Sequence, residues 1–207
     1  MRRMMALVPA IAVLTASVFV SAEGPAPLAQ SVQWPGVETV WQHETMYLAS
    51  APTAEGLAHA KTQGVTTVIN LMLPDEDPAP FWPKDPGEKS WYHYAIEAWF
   101  PRMKPWNEAK EAEQLGLRYE NVPISVVNPD PAAIQRYLNV VKEVGAKQLL
   151  IHCDAAGRAL AMWAIYLGTA GGLTPELALA QAEQAGLSDT GLKTFVLNYL
   201  RETQKAA

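Results

Sequence analysis

Apolar positions along the 207-residue chain change period several times, and each change marks an element. Alternation from Thr39 to Ala49 is imperfect, but Met46-Tyr47-Leu48-Ala49 predicts a strand. Thr53 can cap a helix to about Gln63, closed by Gly64, and the β-branched run from Val65 to Leu73 predicts a buried strand. Asn107 to Leu115 reads as a polar helix, Leu117 to Ile124 as a strand and Ser125 to Pro131 as a loop. Asp130, Pro131 and Gly145 stand where the N-cap, first residue and stop of a helix to Val144 belong. Gln148-Leu149-Leu150-Ile151 is a strand that runs into His152 and Cys153. After a loop of small residues, Arg158 opens a segment to Leu167 that is apolar on every face, as a buried helix is. Thr174-Pro175-Glu176 caps a helix that stops at Gly186. A last helix, roughly Thr190 to Thr203, carries Leu192, Phe195, Val196 and Tyr199 on one face.

Strand, helix, strand, irregular segment, strand, helix, strand and then helices predict an α/β fold, with a mostly parallel central sheet flanked by helices. Ligands of such sheets bind at the carboxyl ends of the strands, and Cys153 lies at one. The irregular segment, Pro74 to Pro105, sets Asp75, Glu76, Asp77, Asp85 and Glu88 among prolines and aromatics. A stretch of this length and composition is either a functional cover or a satellite hydrophobic cluster.

The first 22 residues carry Arg2 and Arg3, an apolar core from Met4 to Val20 and small residues before Glu23, the pattern of a secretory signal peptide cleaved after Ala22. Glu23 to Val37, rich in Pro, Ala and Gly, reads as a flexible leader. The plan is thus a signal peptide over 1–22, a leader over 23–38 and a single domain over 39–207 with an insertion at about 74–106. Cleavage would leave no membrane segment and would place the domain in the periplasm or outside the cell.

The formal net charge is −5, and loss of Arg2 and Arg3 makes it more negative, which argues against nucleic acid as a partner. One cysteine excludes an internal disulfide framework and a thiolate-rich metal site. His43, His59 and His93 form no metal-ligand spacing and read as structural, so no metal or other cofactor is expected. An exported lone thiol is a liability unless it does chemistry.

A strand, a tight loop and a helix start present unpaired backbone N–H groups and the positive end of the helix dipole, which together bind an anion. A thiol placed there beside an arginine is activated as a nucleophile. Elsewhere a free cysteine at a strand end is simply a small buried hydrophobe. The company of Asp154, Ala155, Ala156, Gly157 and Arg158 favours the first reading, because an arginine is rarely buried without an anion to face.

His152-Cys153, a short loop with glycine and then Arg158 heading an apolar helix resemble the phosphate-binding loop of cysteine-dependent protein phosphatases. The likeness is strongest to the bacterial dual-specificity-like group, related to the phosphatase domain attached to beta-lactamase-hydrolase-like proteins. Gly64 to Leu71, Gly116 to Ile124 and Ala161-Met162-Trp163-Ala164 carry it further. Most members of the superfamily have one more residue between Cys and Arg. The shorter loop is also that of rhodanese-type sulfurtransferases. A glycine commonly sits where Ala156 stands, at a position that needs positive φ.

The resemblance implies a phosphomonoester hydrolase in which the Cys153 sulfur attacks phosphorus and Arg158 and the backbone of 154–158 hold the oxygens. His152 would orient the loop, and Asp130 would be the general acid, with Asp154, Asp75, Asp77 or Asp85 as fallbacks. The substrate would be a phosphorylated small molecule or phosphoprotein, and the protein a monomer. A rhodanese-like sulfurtransferase and a catalytically silent phosphate-binding module remain alternatives.

Overall fold

The computed structural model describes residues 28–74, 76, 107–145 and 147–206. The signal-peptide reading, residues 23–27 of the leader, nearly all of the 74–106 insertion, His93 and the fallback acids Asp75, Asp77 and Asp85 lie outside the described residues.

Six strands form one sheet in the order β1-β2-β3-β6-β4-β5. They are β1 (Gln30–Trp34), β2 (Val37–His43), β3 (Met46–Ala49), β4 (Val65–Asn70), β5 (Arg118–Asn121) and β6 (Gln148–His152). The β3/β6, β6/β4 and β4/β5 pairings are parallel, as the alternation of strands and helices predicts. β1, β2 and β3 form an antiparallel meander on one side.

That meander corrects the leader. Residues 30–38, read from composition as flexible, supply β1 and the start of β2. Pro35-Gly36 is a hairpin turn rather than linker: Trp34 pairs with Val37 across it, and Gly36 takes φ +69°. A Cβ on Gly36 would stand 2.2 Å from Thr53 Oγ1, so side-chain bulk is excluded. The strands expected over 65–73 and 117–124 are shorter than their apolar runs, because both chains leave the sheet before the cleft described below.

Among the described residues the helices are α1 (Ala54–Thr62), α2 (Glu108–Gln114), α3 (Pro131–Val144), α4 (Gly157–Thr169), α5 (Pro175–Gln184) and α6 (Thr190–Ala206). Thr53 Oγ1 accepts from Gly56 N and Thr174 Oγ1 from Leu177 N, the caps that the sequence implies, and Asn107 Oδ1 accepts from Lys110 N, a cap the structure adds. The sheet has a core on each face. One gathers Leu57, Ala60, Val65, Val68, Ala112 and Leu150, under α1 and α2. The larger one gathers Leu149, Ile151 and Cys153 with apolar residues of α3 to α6.

Helix α4 is buried from Ala159 through Ile165, with Trp163 fully enclosed, as a helix apolar on every face must be. The sheet, α5 and α6 cover it; a Cβ on Gly168 would meet Leu200 of α6 at 2.6 Å. Among the described residues no helix is long and apolar enough to cross a membrane.

Candidate active site

Successive residues of a strand face opposite sides of a sheet. Leu149, Ile151 and Cys153 therefore point to the larger core, and His152 points to the other face. Because β6 lies between β3 and β4, Cys153 emerges at the centre of the sheet's carboxyl edge. Cys153 N donates to Ala49 O (3.3 Å) and Ala51 N to Asp154 O (3.1 Å), which ties the start of the loop to the end of β3.

The loop turns into α4 at Ala156, which takes φ 67° and ψ −17° and is 1% exposed. The position does need the left-handed conformation, and here an alanine adopts it. Among the described residues no side chain caps α4. Its first N–H groups and the positive end of its dipole are left for an anion.

Arg158, on the first turn of α4, extends to the ends of β4 and β5. Its Nη1 donates to Glu76 Oε2 at 2.7 Å, to Leu71 O at 3.3 Å and to Ile124 O at 3.5 Å, and its side chain is 12% exposed. Burial is the largest influence on its pKa and would lower it. The hydrogen bond and charge of Glu76, with those of the Cys153 sulfur, outweigh burial and raise it. Cys153 and Arg158 thus face each other in one cleft of about 680 Å³. Its floor is residues 153–158; Thr39 and Trp41 of β2, Glu76, residues 124–127 and residues 185–189 form its walls, with Leu192.

No family model and no curated protein matches the chain. Solved structures do. TpbA of P. aeruginosa is 19% identical, with 87% of this chain and 98% of that one covered and a TM-score of 0.59. A structure of TpbA in complex with pTyr gives 18%, 90%, 100% and 0.57, and Tk-PTP in its active form 19%, 82%, 99% and 0.55. The chain has the fold of the cysteine-dependent phosphatases.

Within this phosphatase fold, Cys153, Asp154, Ala155, Ala156, Gly157 and Arg158 are brought together, as their adjacency in sequence requires. Asp130 is not among the residues that line the cleft. Its Oδ1 accepts from Ala132 N at 2.9 Å, so its carboxylate serves as the N-cap of α3, and the general-acid assignment loses its geometric basis.

His152 is fully buried and on the far face, with Nε2 2.6 Å from Glu108 Oε1. There it joins a polar group that sequence reading did not find. Asn70 Nδ2 donates to Glu108 Oε2 (3.0 Å) and to Tyr119 Oη (2.9 Å), and Tyr119 Oη donates to Glu108 Oε2 (3.3 Å). Burial first, then the Glu108 charge, push the Tyr119 phenol well above its ordinary value and keep it a donor. Asn70 Oδ1 accepts from Met72 N (2.8 Å), and Glu76 Oε2 accepts from Leu73 N (2.7 Å). The turn after β4 is therefore pinned at both ends, and with it the carbonyl and carboxylate that hold Arg158.

Glu76, Glu108, Trp41 and Asp189 went unrecognised because each lies far in sequence from the loop it serves. His43 and His59 are packed against aromatic rings, 4.9 Å from Trp163 and 5.2 Å from Trp34. Among the described residues no group of three or more His, Cys, Asp or Glu side chains could hold a metal ion.

Proposed function

We propose that the protein is an exported cysteine-dependent phosphatase, acting as a monomer on a phosphorylated small molecule or phosphoprotein. The observation that carries this is the shared cleft of Cys153 and Arg158 at the uncapped start of α4. The pTyr bound by TpbA supports a phosphomonoester as substrate.

In this reading the Cys153 sulfur attacks phosphorus in line, an S–P bond forms as the ester P–O bond breaks, and the leaving oxygen takes up a proton. Water then cleaves the S–P bond, releasing inorganic phosphate and regenerating Cys153. Arg158 holds two equatorial oxygens as a planar fork and stabilises the charge that spreads over them, and α4 N–H groups hold the rest. Aryl phosphates, whose leaving groups are stable as anions, need the proton least and are the substrates of choice for an assay.

The purified chain should release phosphate from an aryl phosphate, and Cys153→Ser should abolish release. The short loop also suits persulfide chemistry, so thiosulfate with cyanide is the companion assay. Thiocyanate without phosphate release would favour a sulfurtransferase. Phosphate binding without turnover of either would favour a silent module. Export, proposed from residues 1–22, is tested by cell fractionation and by sequencing the mature amino terminus, expected at Glu23.

A further inference from the structure

We propose that a second cleft, at the opposite edge of the sheet from Cys153, binds a small organic cation of the alkylammonium or quaternary ammonium class. It stands apart from the phosphatase reading, because among the described residues none lines both clefts.

The second cleft has a volume of about 660 Å³. It lies where the β2/β3 hairpin, at the amino end of β3, meets the last turns of three helices: Lys142 of α3, Tyr166 and Thr169 of α4, and Thr203 of α6 line it. Helices α4 and α6 both start at the first cleft, where Arg158 and Leu192 stand, and end at this one. The dipole that makes the start of α4 attract an anion makes its end attract a cation, and the last carbonyls of a helix have no partner within it. In α4 no basic side chain stands in the last turn to meet that negative end. A cation from solution would meet it.

Three side chains on the wall suit such a guest. Glu44, in the hairpin turn, supplies a carboxylate. Its φ of 51° is one that glycine holds without strain, yet the turn holds a glutamate there. Tyr166 and Tyr199 bring two half-buried phenol rings, and the face of an aromatic ring attracts a cation within about 6 Å. Met46 and Leu138 add apolar surface for alkyl carbons. Lys142 opposes a cation, but it stands in the last turn of α3, where it answers that helix's own dipole. The charges of Glu44 and Lys142 should therefore act on a bound cation with opposite sign.

The test is calorimetric titration of the purified chain with choline and with neohexyl alcohol, its uncharged carbon counterpart. Choline should bind with a Kd of about 1 mM or tighter. It should bind at least about fivefold more tightly than the alcohol. Glu44→Gln should weaken choline by about threefold or more, and Lys142→Gln should tighten it by about twofold or more. Both positions are exposed, so the fold should survive each change, as thermal melts would show. Tyr199→Leu should weaken choline by about threefold. Cys153→Ser should bind choline as the unaltered chain does, which separates this site from the phosphatase chemistry. Absence of choline binding, equal binding of the alcohol, a change of the same sign in Glu44→Gln and Lys142→Gln, or loss of binding in Cys153→Ser would overturn the proposal.

Discussion

Glu76 and Arg158 are 82 residues apart in sequence and joined at 2.7 Å, Oε2 to Nη1, at the mouth of the cleft. Burial is the largest influence on Glu76 and raises its pKa. The hydrogen bonds from Arg158 and Leu73 N and the Arg158 charge reverse this and hold the carboxyl below its ordinary 4.5. A carboxylate with a depressed folded pKa contributes stability that is present above the unfolded value and lost as pH falls through the folded one. Urea midpoints of the unaltered protein and of Glu76→Gln should therefore differ near neutral pH and converge as pH drops below about 4.5. A constant difference across that range would show that the carboxylate charge contributes nothing.

Arg158 is placed to meet phosphate with a fork that lysine cannot reproduce. Arg158→Ala should lower kcat on an aryl phosphate by about a thousandfold or more, and Arg158→Lys should recover little of it. Circular dichroism should show the fold retained in both. Equal activity in Arg158→Ala would defeat the phosphatase reading.

Asp130 is a cap. Asp130→Ala should cost about 1 kcal/mol of stability, Asp130→Asn only a few tenths, and neither should alter the pH profile of kcat. A lost basic limb in both variants, measured on an alkyl phosphate, would restore Asp130 to the reaction.

Glu108 accepts from Asn70 and Tyr119 and faces the fully buried His152, in a partly buried group. Glu108→Ala leaves donors at a largely buried site without their partner, and should destabilise the chain by roughly 1–3 kcal/mol in urea unfolding. Activity should fall as well, because the turn carrying Leu71 O and Glu76 loses its support from Asn70.

Ala156 holds φ 67° without the freedom of glycine. Ala156→Gly should raise the thermal midpoint, because relieving a left-handed alanine gains about 1 kcal/mol or more. Ala156→Val should lower it, since a β-branched side chain suits that conformation worse still and the site is closed to solvent.

Much of this protein was legible without coordinates wherever the controlling interactions are local. The caps at Thr53, Asp130 and Thr174 were readable because a helix start binds a side chain no more than three residues away. Helix α4 was readable because burial on every side shows as unbroken apolar sequence. Cys153 and Arg158 were readable together because one loop carries both.

Composition misled at residues 30–38, where Pro35-Gly36 signals a hairpin as well as a linker. What makes β1 a strand is its pairing with β2, and pairing is a property of the partner.

Sequence alone determined the alternation of strands and helices, the position of the thiol at a strand end and the arginine at a helix start, because each follows from the period of apolar residues over a few turns. Only the tertiary structure decided that β6 enters between β3 and β4, that Glu76 closes on Arg158, and that Glu108 meets His152 beneath the sheet. Those contacts join segments separated by dozens of residues, and burial against a distant partner leaves no periodic trace in either one.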